Sequence, residues 1–356
     1  MEKIKVLIIQ SKIMHYRVPI FNKIAEDVDL TVMYDSGNVP EGIKFNVIKS
    51  EVKDMKHLFT YHKKFILPYA NKFDVTIMMF DPSYLTTKLL AYLKRKTKLV
   101  FWGIGVAASR NMRYDGCQKT AKILSKLIKK SDAALFYADY PVKKYSQMGI
   151  ECEKLFVAPN TVEVLPIEEK ERKNILFIGT LYKQKKIFEL LECYLNAYKK
   201  NENTPKLTII GDGEEYQNIK NWILANEMQD NIELTGAVFD ENILAEHFSK
   251  ALMCISPDQA GLSVLKSFGY GVPFITHKDA ITGGERHNIV DGETGILLES
   301  FDVIEDIILD CSVNPQKYIE MGKQAKQHYM DNHKVSDMAK GFIDAINYVM
   351  QKDNKK

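Results

Sequence analysis

NILFIGTLYKQKKIFELL, residues 174–191, opens the half of the chain whose reading decides the fold. Four apolar residues, Ile175 to Ile178, end at Gly179; a short polar connection follows, and Ile187, Leu190 and Leu191 recur at helical spacing. This is one strand–turn–helix unit. Short apolar runs repeat the pattern at KLTIIG (206–211), NIELTG (231–236), ALMCIS (251–256) and PFIT (273–276). Toward the N-terminus the same alternation gives IKVLII (4–9), LTVMY (30–34), VTIMMF (75–80), KLVFW (98–102) and AALFY (133–137). Helices are expected over 18–26, 55–66, 83–95, 118–130 and 139–147. The prediction is an α/β protein of two doubly wound, Rossmann-like domains facing each other across a cleft, with ligands at the carboxyl ends of the strands.

The 356 residues suit two domains. An apolar fraction of 46% and a charged fraction of 27% are those of a globular chain. The segment APNTVEVLPIEEKERK (158–173), with two prolines and no helical period, reads as the linker. The domains are therefore expected at 1–160 and 161–335. The last helix carries Met338, Phe342, Ile343, Ile346 and Met350 on an apolar stripe. It must pack on one of them, and 336–356 folding back on the first domain is one option. No apolar run approaches the roughly 18 residues of a membrane span. MEKIKVLII reads as a first strand rather than a leader. Five scattered cysteines without a CxxC exclude a disulfide scaffold and a zinc ribbon, so a cytoplasmic location is expected.

A net charge of +3 hides an asymmetry: residues 1–160 hold 27 basic and 15 acidic side chains, the remainder 22 and 31. Lysines gather in QKTAKILSKLIKK (118–130), where Ile123, Leu124, Leu127 and Ile128 form an apolar stripe. Others lie at Lys53, Lys56, His57, Lys63 and Lys64, and at Lys94–Lys96. Any one segment could be a solvated helix face. All of them in one half point to an anionic membrane surface, with peripheral attachment at the inner face of the cell membrane. No nucleic-acid motif accompanies the charge.

Candidate chemistry lies in the second half. Lys185 follows the strand ending at Gly179 and precedes a helix, where a cation and helical N–H groups can meet a phosphate. Lysines are common in helix first turns, so the position alone does not decide. Gly211-Asp212-Gly213 marks a tight strand-to-helix turn. In SPDQAGLSVLKSFGYGVPFIT (256–276) the N–H groups of Gly261, Leu262 and Ser263 begin a helix and could hold a diphosphate. Asp258 either caps that helix or accepts hydrogen bonds from sugar hydroxyls. Asp27-Val28-Asp29 has the spelling of a metal-binding DxD but sits between helix and strand, where a surface turn is expected. The eight histidines show no ligand spacing, so no metal is expected.

In order and spacing these segments resemble the retaining glycosyltransferases of the GT-B fold, family four of that classification, also called glycosyltransferase group 1. The resemblance rests on Gly179-Thr180-Leu181 with Lys185, on Gly211–Gly213, on 256–273, on Asp291–Gly295 and on the hinge-like Asn160–Glu163. It implies that Lys185 and Asp258 are catalytic. It implies donor contacts at Gly179, Thr180, Gly211, Gly213, Gly236, Ala237, Gly261, Leu262, Ser263, Lys266 and Arg286. His15, Tyr16 and Arg17 after the first strand, with Trp102 and Gly103, are implied on the acceptor side, although the His-Tyr-Arg run could equally start a helix with Tyr16 buried. This chain departs from the family as a divergent member. The arginine position holds Thr180, the second of two paired glutamates is Lys266, and the histidine position holds Ile104. Lys266 has donors only, so it reaches a phosphate or another residue. Arg286 is a candidate replacement for the missing cation.

The implied function is retaining transfer of a sugar from a UDP- or GDP-linked donor to a glycan or lipid-linked acceptor in surface polysaccharide biosynthesis. The nucleotide sugar is the substrate, and no separate cofactor is implied. The rivals are a non-catalytic GT-B partner subunit and a UDP-sugar epimerase.

Overall fold

The computed structural model describes residues 2–55, 59–108, 112–168 and 170–351. The chain forms two compact units. One comprises 1–107, 115–160 and 334–356, the other 108–114 and 161–333. Residues 108–114 thus leave the span expected for the first domain.

In the first unit the strands are β1 (Lys5–Ile9), β2 (Asp29–Tyr34), β3 (Asn46–Lys49), β4 (Val52–Met55), β5 (Phe59–His62), β6 (Val75–Met79), β7 (Lys98–Gly103), β8 (Ala133–Phe136) and β9 (Leu155–Val157). Seven of them form a sheet in the order β3-β2-β1-β6-β7-β8-β9, parallel throughout. Successive β1 residues face opposite sides of the sheet. Val6 and Ile8 pack with Phe21, Trp102 and Phe342, whereas Leu7 and Ile9 join Leu90, Leu127 and Tyr145. Within the span 55–66, where a helix is expected, Phe59–His62 is instead a strand paired antiparallel with β4, Val52 opposite His62 and Met55 opposite Phe59. Lys56 and His57 of the lysine cluster lie outside the described residues.

The terminal helix, Val335–Gln351, belongs to this unit. Met338, Phe342 and Ile346 are buried, with Phe342 edge-on to Trp102. A side chain at Gly341 would come within 2.3 Å of the Val157 carbonyl oxygen, so only glycine permits this approach.

The second unit contains β10 (Asn174–Ile178), β11 (Lys206–Ile210), β12 (Ile232–Gly236), β13 (Ala251–Ile255), β14 (Gln259–Ala260), β15 (Phe274–His277), β16 (Ile281–Thr282) and β17 (Gly295–Leu298). Six form a parallel sheet ordered β12-β11-β10-β13-β15-β17, in which the order of strand addition reverses between β10 and β13. That reversal is the topological switch point at which such sheets open a crevice. The segment read as a linker is tied down. The Leu165 N–H donates to the Tyr270 hydroxyl, and the Arg172 guanidinium donates to the carbonyls of Phe248, Ala251 and Tyr270. Its prolines and charges resemble a free linker only because its partners lie far away in sequence.

Candidate active site

Three strands of the second unit, β10, β11 and β12, end in glycine turns around a cavity of about 710 Å3. Gly179 and Thr180 line it after β10, Gly211 to Gly213 after β11, and Ala237 to Phe239 after β12. The turns interlock: the Gly211 N–H donates to the Gly236 carbonyl, and the Leu181 N–H to that of Asp212. A Cβ on Gly211 would fall 1.9 Å from the Gly179 oxygen, and one on Gly213 2.3 Å from that of Leu181. Both glycines have positive φ. They are thus required by close backbone approach as well as by conformation.

Lys185 ends a short 3-10 turn, Lys183–Lys185, after which Lys186 takes a left-handed conformation and the helix Ile187–Lys200 begins. This path turns Lys185 inward. The residue is 6% exposed, and its ammonium lies 6.0 Å from the Phe177 ring centroid. Its Nζ is 3.0 Å from where a Gly179 Cβ would stand. Burial lowers its pKa to about 8, opposed weakly by Cys254. Among the described residues no carboxylate pairs with it, whereas neighbouring Lys186 is bound to Glu189 at 3.0 Å. A buried cation without a counter-ion beside a cavity suits an anionic ligand.

Asp258 lies in the loop after β13, half-buried, and its carbonyl accepts from the Ile281 N–H. Burial raises its carboxyl above the ordinary value, against the pull of His277, Lys186 and Arg113. The helix Leu262–Gly269 starts at Gly261 with no side-chain cap, so Asp258 does not cap it. Leu262 and Ser263, in its first turn, have no intrahelical acceptor for their N–H groups.

Lys266 has a different setting from a ligand-facing cation. It is 8% exposed, and its ammonium is held by both carboxylate oxygens of Glu241, at the start of the helix Glu241–Ser249. Arg286 stands in the turn Glu285–Asn288, which packs on the 262–269 helix. Thr282 Oγ1 accepts from the Gly284 and Arg286 N–H groups, and the buried Glu285 carboxylate accepts from the Gly283 N–H. The Arg286 Nε is buried without a partner. Burial lowers its pKa, with Asp279 opposing.

The residues expected on the acceptor side separate. His15 is exposed and Tyr16 half-buried, within the 3-10 turn His15–Arg17. Arg17 is buried. Its guanidinium donates to the Tyr137 hydroxyl at 3.0 Å and lies 5.2–5.3 Å from the ring centroids of Tyr16, Trp102 and Tyr137. Trp102 is fully buried, and Gly103 is buried beside it. Arg17 and Trp102 are therefore core residues of the first unit, not ligand-facing ones. Sequence reasoning had no reason to single out Val238, Phe239 or Glu241. Phe239 stands 82% exposed three residues after the strand-ending Gly236, an exposure that the sequence does not display.

Asp27 ends a helix and Asp29 starts β2, at the amino ends of the strands and away from the carboxyl-end crevice. Among the described residues no group of three His, Cys, Asp or Glu is arranged to hold a metal ion, and no helix is long and apolar enough to cross a membrane.

Residues 162–328 match the family described as Glycosyl transferases group 1. The chain is 25% identical over 221 residues to the poly(glycerol-phosphate) alpha-glucosyltransferase of Bacillus subtilis, 56% of this chain and 32% of that protein. It thus spans about a third of that relative's length. An uncharacterized glycosyltransferase of Haemophilus influenzae is 23% identical over 261 residues, 70% of each chain. Among solved structures, a point mutant of S. aureus TarM, crystallised with fondaparinux, alpha-GlcNAc-glycerol and UDP, superposes with a TM-score of 0.69. The match covers 97% of this chain and 100% of that one at 13% identity, a likeness of fold. The superposition shows an α/β fold of the GT-B type, and residues 162–328 are similar to the group 1 glycosyltransferases.

Proposed function

We propose that this chain, a glycosyltransferase of the group 1 type, moves a sugar from a UDP- or GDP-linked donor to a glycan or lipid-linked acceptor with retention of configuration. The reading rests chiefly on Lys185, a buried ammonium without a carboxylate partner beside the glycine-lined cavity. The ammonium offsets charge on the donor diphosphate, and the first-turn N–H groups of Leu262 and Ser263 add to it. Asp258 accepts hydrogen bonds from the donor sugar. In the transfer the bond from the anomeric carbon to the phosphate oxygen breaks and a bond to the acceptor oxygen forms on the same face. The acceptor proton passes to the departing diphosphate, so no separate base is needed at the position of Ile104.

The acceptor class follows the relatives, one named for poly(glycerol-phosphate) and one crystallised with a glycerol glycoside. Peripheral attachment at the inner membrane face is part of the same proposal. The helix Gln118–Lys130 buries Leu124, Leu127 and Ile128 while Lys119, Lys122, Lys126, Lys129 and Lys130 face solvent. Ile123, the fourth residue of its apolar stripe, is exposed among them.

The test is a thermal-shift screen of nucleotide sugars followed by turnover of the ranked donor in excess chelator. Donor binding raises the unfolding midpoint by linkage. Hydrolysis or transfer that persists with chelator supports metal-independent transfer; activity restored only by magnesium or manganese contradicts it. Saturable binding without turnover against any acceptor would favour the non-catalytic partner subunit, a reading that the Glu241–Lys266 pair also motivates.

A further inference from the structure

The first unit has a cavity of its own, about 510 Å3, beside the edge strand β3. Four lysines line it: Lys49, Lys63, Lys64 and Lys72. One carboxylate, Glu51, stands among them and binds Lys63 at 2.7 Å. Lys63 first, with Lys64 and Lys49 also contributing, holds the Glu51 carboxyl below its ordinary value, and the four lysines outnumber this one acid in the lining. Lys72 lies over the Tyr69 ring at 5.6 Å instead of meeting an acid. Like charges gather at a concave surface only against their own repulsion, and an anion relieves it.

The remainder of the lining is apolar. Met33 and Ile48, opposite each other in the β2–β3 register, join Ile66, and Phe65 stays 56% exposed at the same cavity. A bare inorganic anion would use the lysines and leave this surface wet. A ligand with both an anionic and an apolar part uses all of it. Separate ammonium point charges suit a compact, multiply charged anion such as phosphate.

We propose that this cavity binds a phosphate ester carrying an apolar portion. Two sources share that chemistry, an anionic lipid headgroup and a soluble phosphate ester. The site lies within the first unit, and its occupation does not depend on the donor reading.

The experiment titrates the full chain with three probes by calorimetry: monomeric dihexanoyl phosphatidic acid, glycerol 3-phosphate, and zwitterionic dihexanoyl phosphatidylcholine. Dihexanoyl phosphatidic acid should bind saturably, one per chain, and weaken as salt is added. The Lys64→Gln/Lys72→Gln double variant should bind it at least tenfold more weakly, and Phe65→Ala severalfold more weakly. These lysines are exposed, so the variants should unfold at the parent temperature and keep its UDP-induced thermal shift. Equal affinity for glycerol 3-phosphate overturns the proposal, because the apolar lining would then be unused. With the dihexanoyl probe preferred, competition by phosphatidic acid vesicles assigns the headgroup and no competition assigns the soluble source. The proposal is overturned if neither phosphate probe saturates, if the double variant binds as the parent does, or if phosphatidylcholine binds equally well. Lys122→Gln/Lys126→Gln on the 118–130 helix should leave probe affinity unchanged; an equal loss there would mean diffuse surface attraction and would also overturn it.

Discussion

The Lys266 ammonium lies 2.6 and 2.7 Å from the two carboxylate oxygens of Glu241, twenty-five residues earlier in the chain. The lysine is nearly buried and the glutamate about one-third exposed. A carboxylate thus still stands at this corner of the second unit although the family's glutamate position holds Lys266. Lys266→Glu should set two carboxylates against each other, lowering the unfolding midpoint and weakening UDP binding. Reversing the pair with Glu241→Lys in addition should recover most of the stability. Because one partner is partly solvated, the coupling should be only about 1 kcal/mol. Simple additivity of the two substitutions in thermal unfolding would show that the ion pair contributes nothing. Adding Thr180→Arg to Lys266→Glu should return part of the UDP affinity by supplying a cation at a cavity-lining position.

Gly211→Ala is expected to be more harmful than an ordinary surface change. Its methyl would lie 1.9 Å from the Gly179 carbonyl oxygen, in backbone rather than against a mobile side chain. Either the interlocked turns separate or the strand ends shift, at a cost of about 2 kcal/mol or more. Gly292→Ala is the control, since it also has positive φ but meets nothing within 4 Å. Equal unfolding midpoints for the two variants would refute the steric argument.

Arg17→Met should destabilise the first unit and leave UDP affinity intact. The guanidinium sits among three aromatic rings and donates to Tyr137, and its loss should cost about 1–2 kcal/mol. His15→Ala, on the same turn but exposed, should leave the midpoint unchanged. A large change in UDP affinity for Arg17→Met would return that residue to a ligand site.

These cases show where sequence is readable. Strands such as Ile175–Ile178 and Leu99–Trp102 are uninterrupted apolar runs because both sheet faces are covered. The edge strand β3 is half polar and largely exposed, so its sequence lacks that mark. The β4–β5 hairpin mixes lysine, aspartate and aromatics in runs of four, too short to separate strand from helix by period. The glycine turns of the candidate site were legible because close backbone contact leaves a fixed residue type. Lys266's choice of Glu241, and the gathering of Arg17, Trp102 and Tyr137, were not, since tertiary packing selects those partners. Asp258 could be read either as a cap or as a ligand group, and the uncapped start at Gly261 removes the first option.

Lys185 gives the sharpest prediction because its charge state can be followed by pH. Burial lowers its pKa from 10.5 to about 8. Between those values the unfolded chain binds a proton that the folded chain lacks, so this group makes stability rise with pH there. Below pH 8 the cost of burying the charge is present in full, about 3 kcal/mol as an order of magnitude. An occupying diphosphate favours the ammonium and raises its pKa, so the linkage reverses for binding. UDP affinity should hold below pH 8 and fall above it by up to tenfold per unit. Over pH 7.5–9.5 the nucleotide's own phosphates are already ionised. Lys185→Arg should flatten the profile, since guanidinium stays charged throughout. Lys185→Ala should bind weakly at every pH, lower transfer a hundredfold or more, and unfold no earlier than the parent at pH 7. Calorimetric titration with UDP at five pH values decides the matter. A parent profile that is level through pH 9.5, or one that Lys185→Ala reproduces, would remove Lys185 from the diphosphate site.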